Sequence, residues 1–135
     1  MAVKAVFFDR DGVLNEALFR DGKAYAPLQL DEMLIVPDAK NAVSRLKAAG
    51  FLIFVFSNQP DVRRGTLDPK ILDQMSQKLL KAIPDISEVF ICPHDNRDQC
   101  DCRKPKPGML IQASRNWNVD LSQSFVVGDR NVDID

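Results

Sequence analysis

The sequence predicts an α/β fold in which a doubly wound parallel sheet carries helices on both faces. Two observations support this class. Short apolar runs of strand length recur along the chain, and each ends abruptly at polar residues. Between them lie longer segments whose apolar residues recur every three or four positions, as in amphipathic helices. Strands that alternate with helices are typical of a parallel sheet, whose ligands bind at the carboxyl ends of the strands.

Four segments are predicted as strands. Their apolar runs are continuous rather than alternating, because helices cover both faces of a strand in this kind of sheet. Polar residues follow each run, so four strand ends direct polar side chains toward one edge. The predicted strands are Lys4–Phe8, Phe51–Phe56, Val89–Cys92 and Ser124–Val127.

Three segments are predicted as helices. Asp38–Ala49 has apolar residues at helical spacing and is followed by Gly50, which stops it. Asp68–Ala82 begins with a capping Asp and has Pro69 at its first helical position. Gly108–Asn118 carries its apolar residues on one side. The alternation of strands and helices is therefore complete along the chain.

Length and charge exclude several classes of protein. The chain is long enough for one domain with a single core, and we expect residues 1–135 to form it. Its formal net charge of −1 does not favour nucleic acid as a partner. No apolar run approaches the roughly 18 residues of a membrane helix, and the N-terminus lacks the pattern of a signal peptide. We therefore expect a cytoplasmic protein, without a membrane partner, whose thiols stay reduced.

Carboxylates follow the first and the fourth predicted strand. Asp9 and Asp11 come directly after the first strand, and Gly12 allows a tight turn there. Asp129 and Asp133 follow the fourth strand. Acids that share one cleft repel each other unless a cation lies among them, and ligands that are all oxygen favour Mg²⁺. The alternative, that these acids are helix caps and solvated turn residues, is weakened by their matched positions at strand ends.

These motifs together resemble those of the haloacid dehalogenase superfamily, in its phosphatase branch. Phe8–Asn15 (FDRDGVLN) is similar to the first motif and Phe56–Gln59 (FSNQ) to the second. Lys104 within RKPKPG resembles the third motif, and Gly128–Asp133 (GDRNVD) the fourth. Their order and spacing match across nearly the whole chain. The resemblance implies a Rossmann-like core, and residues 16–36, which connect the first strand to the first helix, are too short for a separate cap domain.

The resemblance also implies catalytic roles. Asp9 would be the nucleophile that forms an aspartyl-phosphate, and Asp11 the general acid and base. Ser57 would donate a hydrogen bond to the phosphoryl group, and Lys104 would balance its charge. The resemblance places catalytic Mg²⁺ on the carboxylates of Asp9 and Asp129 and on the backbone carbonyl of Asp11, with Asp133 in an indirect role.

Every cysteine and the single histidine of the chain fall within one stretch of eleven residues. They form the pattern Cys-x-His, five residues, Cys-x-Cys, with the members Cys92, His94, Cys100 and Cys102. Three thiolates and an imidazole are the closed ligand set of structural Zn²⁺. Unligated structural thiols and a redox role stay open as alternatives, although the Cys-x-x-Cys redox motif is absent. An odd number of cysteines and a reducing compartment disfavour a disulfide.

The cysteine loop narrows the resemblance to a subgroup of the superfamily. CPH followed by CDCRKP is similar to the zinc loop of the heptose 1,7-bisphosphate 7-phosphatases and of the histidinol-phosphate phosphatases. The NQPDVRRG segment resembles the heptose enzymes more closely. A small phosphorylated sugar is therefore the expected substrate, most of all the heptose bisphosphate, with histidinol phosphate as the alternative. The predicted substrate contacts are Asn58, Gln59, Arg103 and Arg130.

Two further expectations concern the chain as a whole. Family members continue beyond the fourth motif, so we expect these 135 residues to be an incomplete domain with weak or no activity. A hypothesis from another class is a zinc-stabilised α/β binding module that has lost catalysis. The presence of both Asp9 and Asp11 argues against that hypothesis, because a binding module needs neither. The sequence leaves the oligomeric state open.

Overall fold

The computed structural model describes residues 2–94, 98–104 and 106–128, where strands and helices alternate as predicted. The strands are β1 (Ala5–Phe8), β2 (Leu18–Arg20), β3 (Lys23–Tyr25), β4 (Leu52–Asn58), β5 (Glu88–Cys92) and β6 (Phe125–Val127). The α-helices are α1 (Ala39–Ala48), α2 (Pro60–Arg64), α3 (Pro69–Ala82) and α4 (Gly108–Trp117). Two short 3-10 helices cover Leu30–Glu32 and Leu121–Gln123. The four predicted strands and three predicted helices are all present, within two residues at each end.

The main sheet has the strand order β5-β4-β1-β6, and its neighbouring strands are parallel. β1 lies in the interior and pairs with β4 on one side and β6 on the other. Its last residue, Phe8, is level with Val55 of β4 and Val127 of β6. The carboxyl ends of these strands therefore open on the same edge, which confirms the predicted α/β class.

Apolar side chains alternate between two cores, one on each face of the sheet. Val6 and Phe8 of β1 pack into the core that α1 and α3 cover, together with Met75 and Leu79. The intervening residues, including Phe7, pack into the core that α4 covers. Because both faces of β1 and β4 are buried, a polar side chain is accommodated only at the ends of these two strands. The continuous apolar runs of the sequence follow from this constraint.

The segment between β1 and α1 contains an antiparallel hairpin of β2 and β3, which the sequence analysis did not predict. Each strand has only three residues, too few for a periodic pattern to be recognised. Asp21 and Gly22 form its turn with positive φ values of 51° and 77°. The five-residue helix α2 was also not predicted, for the same reason of length.

Among the helices in the described ranges, none has the length and apolar composition to cross a membrane.

Gly108 offers a test of the packing between α4 and the cysteine loop. Gly108 is the first residue of α4. A β-carbon here would lie 2.7 Å from the carbonyl carbon of Asp101 and even closer to its carbonyl oxygen. It would also lie 2.8 Å from the Cα of Cys102. Helix propensity alone predicts that Gly108→Ala stabilises the protein by up to about 1 kcal/mol. We expect the steric clash to dominate and to lower the free energy of unfolding by about 1–3 kcal/mol. Urea denaturation measures this difference.

The comparison variant is Gly22→Ala, measured in the same way. A β-carbon at Gly22 meets no atom within 4 Å, so this change tests only the strain of its positive φ of 77°. An unfolding free energy of Gly108→Ala equal to or above that of the wild type would contradict the predicted packing.

Candidate active site

Asp9, the predicted nucleophile, lies one residue beyond β1 at the carboxyl edge of the sheet. Its backbone N–H donates to the carbonyl of Val127 at 2.9 Å, which fixes it between β1 and β6. The ammonium Nζ of Lys104 donates to Asp9 Oδ1 at 3.0 Å, although the two residues are 95 positions apart. Their side chains are only 9% and 4% exposed. The structure thus brings the predicted first and third motifs into direct contact.

Lys104 is held at both its ends. Its Nζ also donates to the carbonyl of Phe56 at 3.2 Å and lies 4.2 Å from the centre of the Phe56 ring. Its backbone N–H donates to Asn58 Oδ1 at 2.9 Å, and Asn58 Nδ2 donates back to its carbonyl at 3.3 Å. The charged group and the backbone are therefore positioned by the end of β4. A buried ammonium of this kind needs a carboxylate partner, because an unpaired buried charge is strongly destabilising.

Asp11, the predicted general acid and base, is held by both of its carboxylate oxygens. The Nε and Nη2 atoms of Arg10 donate to Oδ1 at 3.1 and 2.9 Å. The Nε2 atom of Gln59 donates to Oδ2 at 2.7 Å. Arg10 is fully buried and was not among the predicted site residues. Its position between two site carboxylates was a signal in the sequence, but the direction of its side chain was not.

The buried polar residues of the described chain concentrate at this edge. Seven polar or charged residues are buried, and six of them belong to the contacts of Asp9 and Asp11 or lie directly beside them. They are Asp9, Arg10, Asp11, Ser57, Gln59 and Lys104; Asn15 is the seventh. Polar groups are retained in an apolar interior only where hydrogen bonds or ion pairs compensate their desolvation. Their concentration marks this edge as the candidate active site.

Two of the predicted substrate contacts use their side chains inside the protein. The amide of Asn58 is engaged with the backbone of Lys104. Gln59 is 1% exposed, and its Nε2 donates to Ser57 Oγ at 2.8 Å as well as to Asp11. In the described structure these amides therefore position other site residues, and the substrate contact predicted for them stays a prediction. The prediction had no information on the direction of either side chain.

Arg103, another predicted substrate contact, is partly buried beside the cysteine loop. Its Nη1 donates to the backbone carbonyl of His94 at 3.1 Å. This bond holds the guanidinium against the His94 end of the cysteine loop. The remaining predicted residues, Asp129, Arg130 and Asp133, lie outside the described residues.

The cysteine and histidine side chains converge as predicted. Their ligand atoms all lie within 4.8 Å of one another. Cys92 Sγ is 3.5 Å from both His94 Nδ1 and Cys100 Sγ, and Cys102 Sγ is 3.3 Å from His94 Nδ1 and 3.7 Å from Cys100 Sγ. Cys92 and Cys102 also stand in disulfide contact, with Cys100 outside this pair. The cluster is therefore geometrically able to form either a metal site or a disulfide, whereas the sequence had disfavoured the disulfide.

Comparisons with known proteins agree with this geometry. The family model of the haloacid dehalogenase-like hydrolases matches residues 15–135. A D-glycero-β-D-manno-heptose-1,7-bisphosphate 7-phosphatase from Pseudomonas aeruginosa is 37% identical over 139 aligned positions, which cover 100% of this chain and 75% of that protein. The enzyme of the same name from Pasteurella multocida is 34% identical, covering 97% of this chain and 73% of its own length.

A solved structure is similar along most of the chain. The D,D-heptose 1,7-bisphosphate phosphatase of B. bronchiseptica, crystallised with magnesium and phosphate, aligns with a TM-score of 0.83 at 33% identity. The alignment covers 96% of this chain and 72% of that one. Because the family model matches most of the chain and the Pseudomonas relative aligns along all of it, this protein belongs to the haloacid dehalogenase-like hydrolases.

Proposed function

We propose that the protein is a Mg²⁺-dependent phosphatase that removes the 7-phosphate of D-glycero-D-manno-heptose 1,7-bisphosphate. The observation that carries this proposal is the convergence of Asp9, Asp11 and Lys104 at the carboxyl edge of the sheet. The names of the relatives support the substrate, since heptose bisphosphate phosphatases match nearly the whole chain. A cytoplasmic location is part of the proposal, because the substrate is a small soluble metabolite and the cysteine cluster needs reduced thiols to hold a metal.

The reaction proceeds in two displacements at phosphorus. In the first, a carboxylate oxygen of Asp9 bonds to the phosphorus while the bond from phosphorus to the sugar oxygen breaks, and Asp11 gives that oxygen its proton. In the second, water bonds to the phosphorus while the bond to Asp9 breaks, and Asp11 takes the proton of the water. The products are the heptose monophosphate and inorganic phosphate, and both aspartates return to their starting states.

Lys104 and Ser57 stabilise the phosphoryl group as it transfers. Lys104 reaches Asp9 Oδ1 at 3.0 Å, so its ammonium lies beside the atom to which the phosphoryl group becomes attached. Ser57 is buried at the end of β4, next to the same edge. Positive charge and donors that are in place before the reaction lower the barrier without a cost of reorganisation.

The charges of the site fit a divalent cation and a phosphate bound together. The buried charged residues of the described chain are two carboxylates, Asp9 and Asp11, and two cations, Arg10 and Lys104. A phosphate dianion added alone would make this edge negative, and Mg²⁺ restores the balance. Asp9 would supply a carboxylate oxygen and Asp11 its backbone carbonyl oxygen, and Mg²⁺ prefers oxygen ligands; the carboxylate of Asp129 is proposed as the third ligand. When bound, Mg²⁺ neutralises charge on the phosphoryl oxygens.

Asp9→Asn tests the nucleophile. The amide cannot form the acyl phosphate, so we expect Mg²⁺-dependent phosphate release from heptose 1,7-bisphosphate to fall by about 10³-fold or more. Single-turnover assays with enzyme in excess make even a slow wild-type rate measurable. The matched control is Asp73→Asn on the exposed side of α3, which should leave the rate unchanged. An Asp9→Asn rate equal to that of the wild type would exclude Asp9 as the nucleophile.

A substrate panel tests the sugar. We expect kcat/KM for heptose 1,7-bisphosphate to exceed that for histidinol phosphate by about tenfold or more, because only the bisphosphate offers a second anionic group to arginine side chains such as Arg103. Arg103→Ala should reduce this preference by raising the KM of the bisphosphate. Equal kcat/KM values for the two substrates in the wild type would exclude the proposed specificity.

We also propose that the cysteine and histidine cluster binds structural Zn²⁺. Zn–S bonds of about 2.3 Å and Zn–N bonds of about 2.0 Å in a tetrahedron separate the ligand atoms by roughly 3.5–3.8 Å. Four of the separations in the cluster lie between 3.3 and 3.7 Å. A disulfide between Cys92 and Cys102 would use two of the four groups and would not explain why His94 and Cys100 join them. The metal would fix the loop that ends at Lys104.

Cys100→Ser separates the metal site from the disulfide, because Cys100 is outside the disulfide pair. If the cluster binds zinc, reduced wild-type protein should contain about one zinc per chain, and the variant should lose it. We expect the unfolding free energy to fall by several kcal/mol as well. Elemental analysis and urea denaturation provide the readouts. Asp101→Asn, an exposed change in the same loop, is the control. Zinc-free wild-type protein, purified with reductant and zinc present, would contradict the proposal.

A further inference from the structure

Gln59 occupies an unusual position for a residue that begins a helix. It is the N-cap of α2, where a side chain commonly accepts a hydrogen bond from the first turn. Its side chain makes no such bond, and it is 1% exposed. Its backbone N–H donates to the carbonyl of Cys92 at 2.8 Å, which ties it to the end of β5. The side chain is thereby directed into the protein and away from the helix.

Both hydrogens of the Gln59 amide are used on catalytic groups. Nε2 donates to Asp11 Oδ2 at 2.7 Å and to Ser57 Oγ at 2.8 Å. Ser57 lies at the end of β4, and Asp11 follows β1, so one amide joins two strand ends. An amide does not ionise near neutral pH, so its donors are present in both protonation states of Asp11. This property suits a partner of a group that gains and loses a proton in each cycle.

Arg10 completes the arrangement from the other side of Asp11. Its fork of Nε and Nη2 occupies Oδ1, while Gln59 occupies Oδ2. The two oxygens of the carboxyl group are thus held by donors from different segments of the chain. Rotation of the carboxyl plane would break at least one of these buried bonds, and an unsatisfied buried donor is costly. The direction from which Asp11 meets the leaving oxygen is set by this pair.

We propose that Gln59 is a positioning residue that orients Asp11 for proton transfer and couples it to Ser57. The proposal rests on the phosphatase function proposed above and assigns Gln59 a task other than contact with the substrate. We expect loss of the amide to slow the departure of a leaving group that needs a proton from Asp11 more than the departure of one that leaves without a proton. A merely structural glutamine would affect both steps equally.

Two substrates distinguish these effects. The sugar oxygen of heptose 1,7-bisphosphate needs a proton to leave, whereas p-nitrophenolate is stable as an anion and leaves p-nitrophenyl phosphate without one. Under single-turnover conditions, with enzyme in excess, we expect Gln59→Met to slow release of the sugar by roughly tenfold or more. First-turnover release of nitrophenolate should fall by less than about threefold, and the KM of the sugar phosphate should stay within about twofold of the wild type.

Gln77→Met is the matched control, because it replaces the same side chain by the same residue at an exposed position of α3. It should leave both rates unchanged. Gln59→Leu, which also removes both donors and adds no charge beside Asp11, is the second variant and should show the same selective loss. Circular dichroism and urea denaturation establish that each variant is folded, and the kinetic comparison is made on whichever of the two Gln59 variants passes.

Three results would overturn the proposal. An equal loss on both substrates would assign Gln59 a structural role. A raised KM with an unchanged single-turnover rate would make it a substrate contact, as the sequence had suggested. A wild-type protein that releases no phosphate from either substrate in the presence of Mg²⁺ would remove the proposed function itself, and with it the need for a positioned Asp11. The first two results leave the phosphatase proposal intact, so the two failures are distinguishable.

Discussion

The arrangement of the candidate active site depends on the buried ion pair between Lys104 and Asp9. These two charged groups come from segments 95 positions apart and are almost inaccessible to solvent. Neither could be buried alone, because the desolvation of a single charge is not compensated without a partner. The pair therefore requires that the loop before α4 reaches across β4 to the end of β1. Asn58 at the end of β4 holds this loop in place, because its side-chain amide binds both the N–H and the carbonyl of Lys104.

The parallel sheet explains why the polar groups lie at this edge. Helices cover both of its faces along β1 and β4, so these two strands are apolar until their ends and polar side chains are excluded from their interior. The first residues beyond the strands are the first positions that escape this exclusion. Since parallel strands end on the same side, residues far apart in sequence meet there. The chemistry of the site is thus a consequence of how the core is covered.

The long elements were predictable because their signals extend over many residues. A continuous apolar run or a helical repeat, as in α3, is recognisable in the sequence alone. The hairpin of β2 and β3 and the short helix α2 carry three to five residues each and leave no comparable pattern. Side-chain direction has no periodic signal at the end of a strand either. That is why Arg10 was missed, and why the internal roles of Asn58 and Gln59 were not foreseen.

The sequence by itself determined the α/β class, the positions of the candidate catalytic residues Asp9, Asp11 and Lys104, and the convergence of the cysteine and histidine residues. These follow from local composition and from the topology that alternating elements impose. Only the tertiary structure decided which side chains hold one another: Arg10 and Gln59 on Asp11, Asn58 on Lys104, and the contact of Cys92 with Cys102. The physical reason is that a buried polar group takes whichever partner the packing brings within hydrogen-bond distance, and packing is a property of the folded chain.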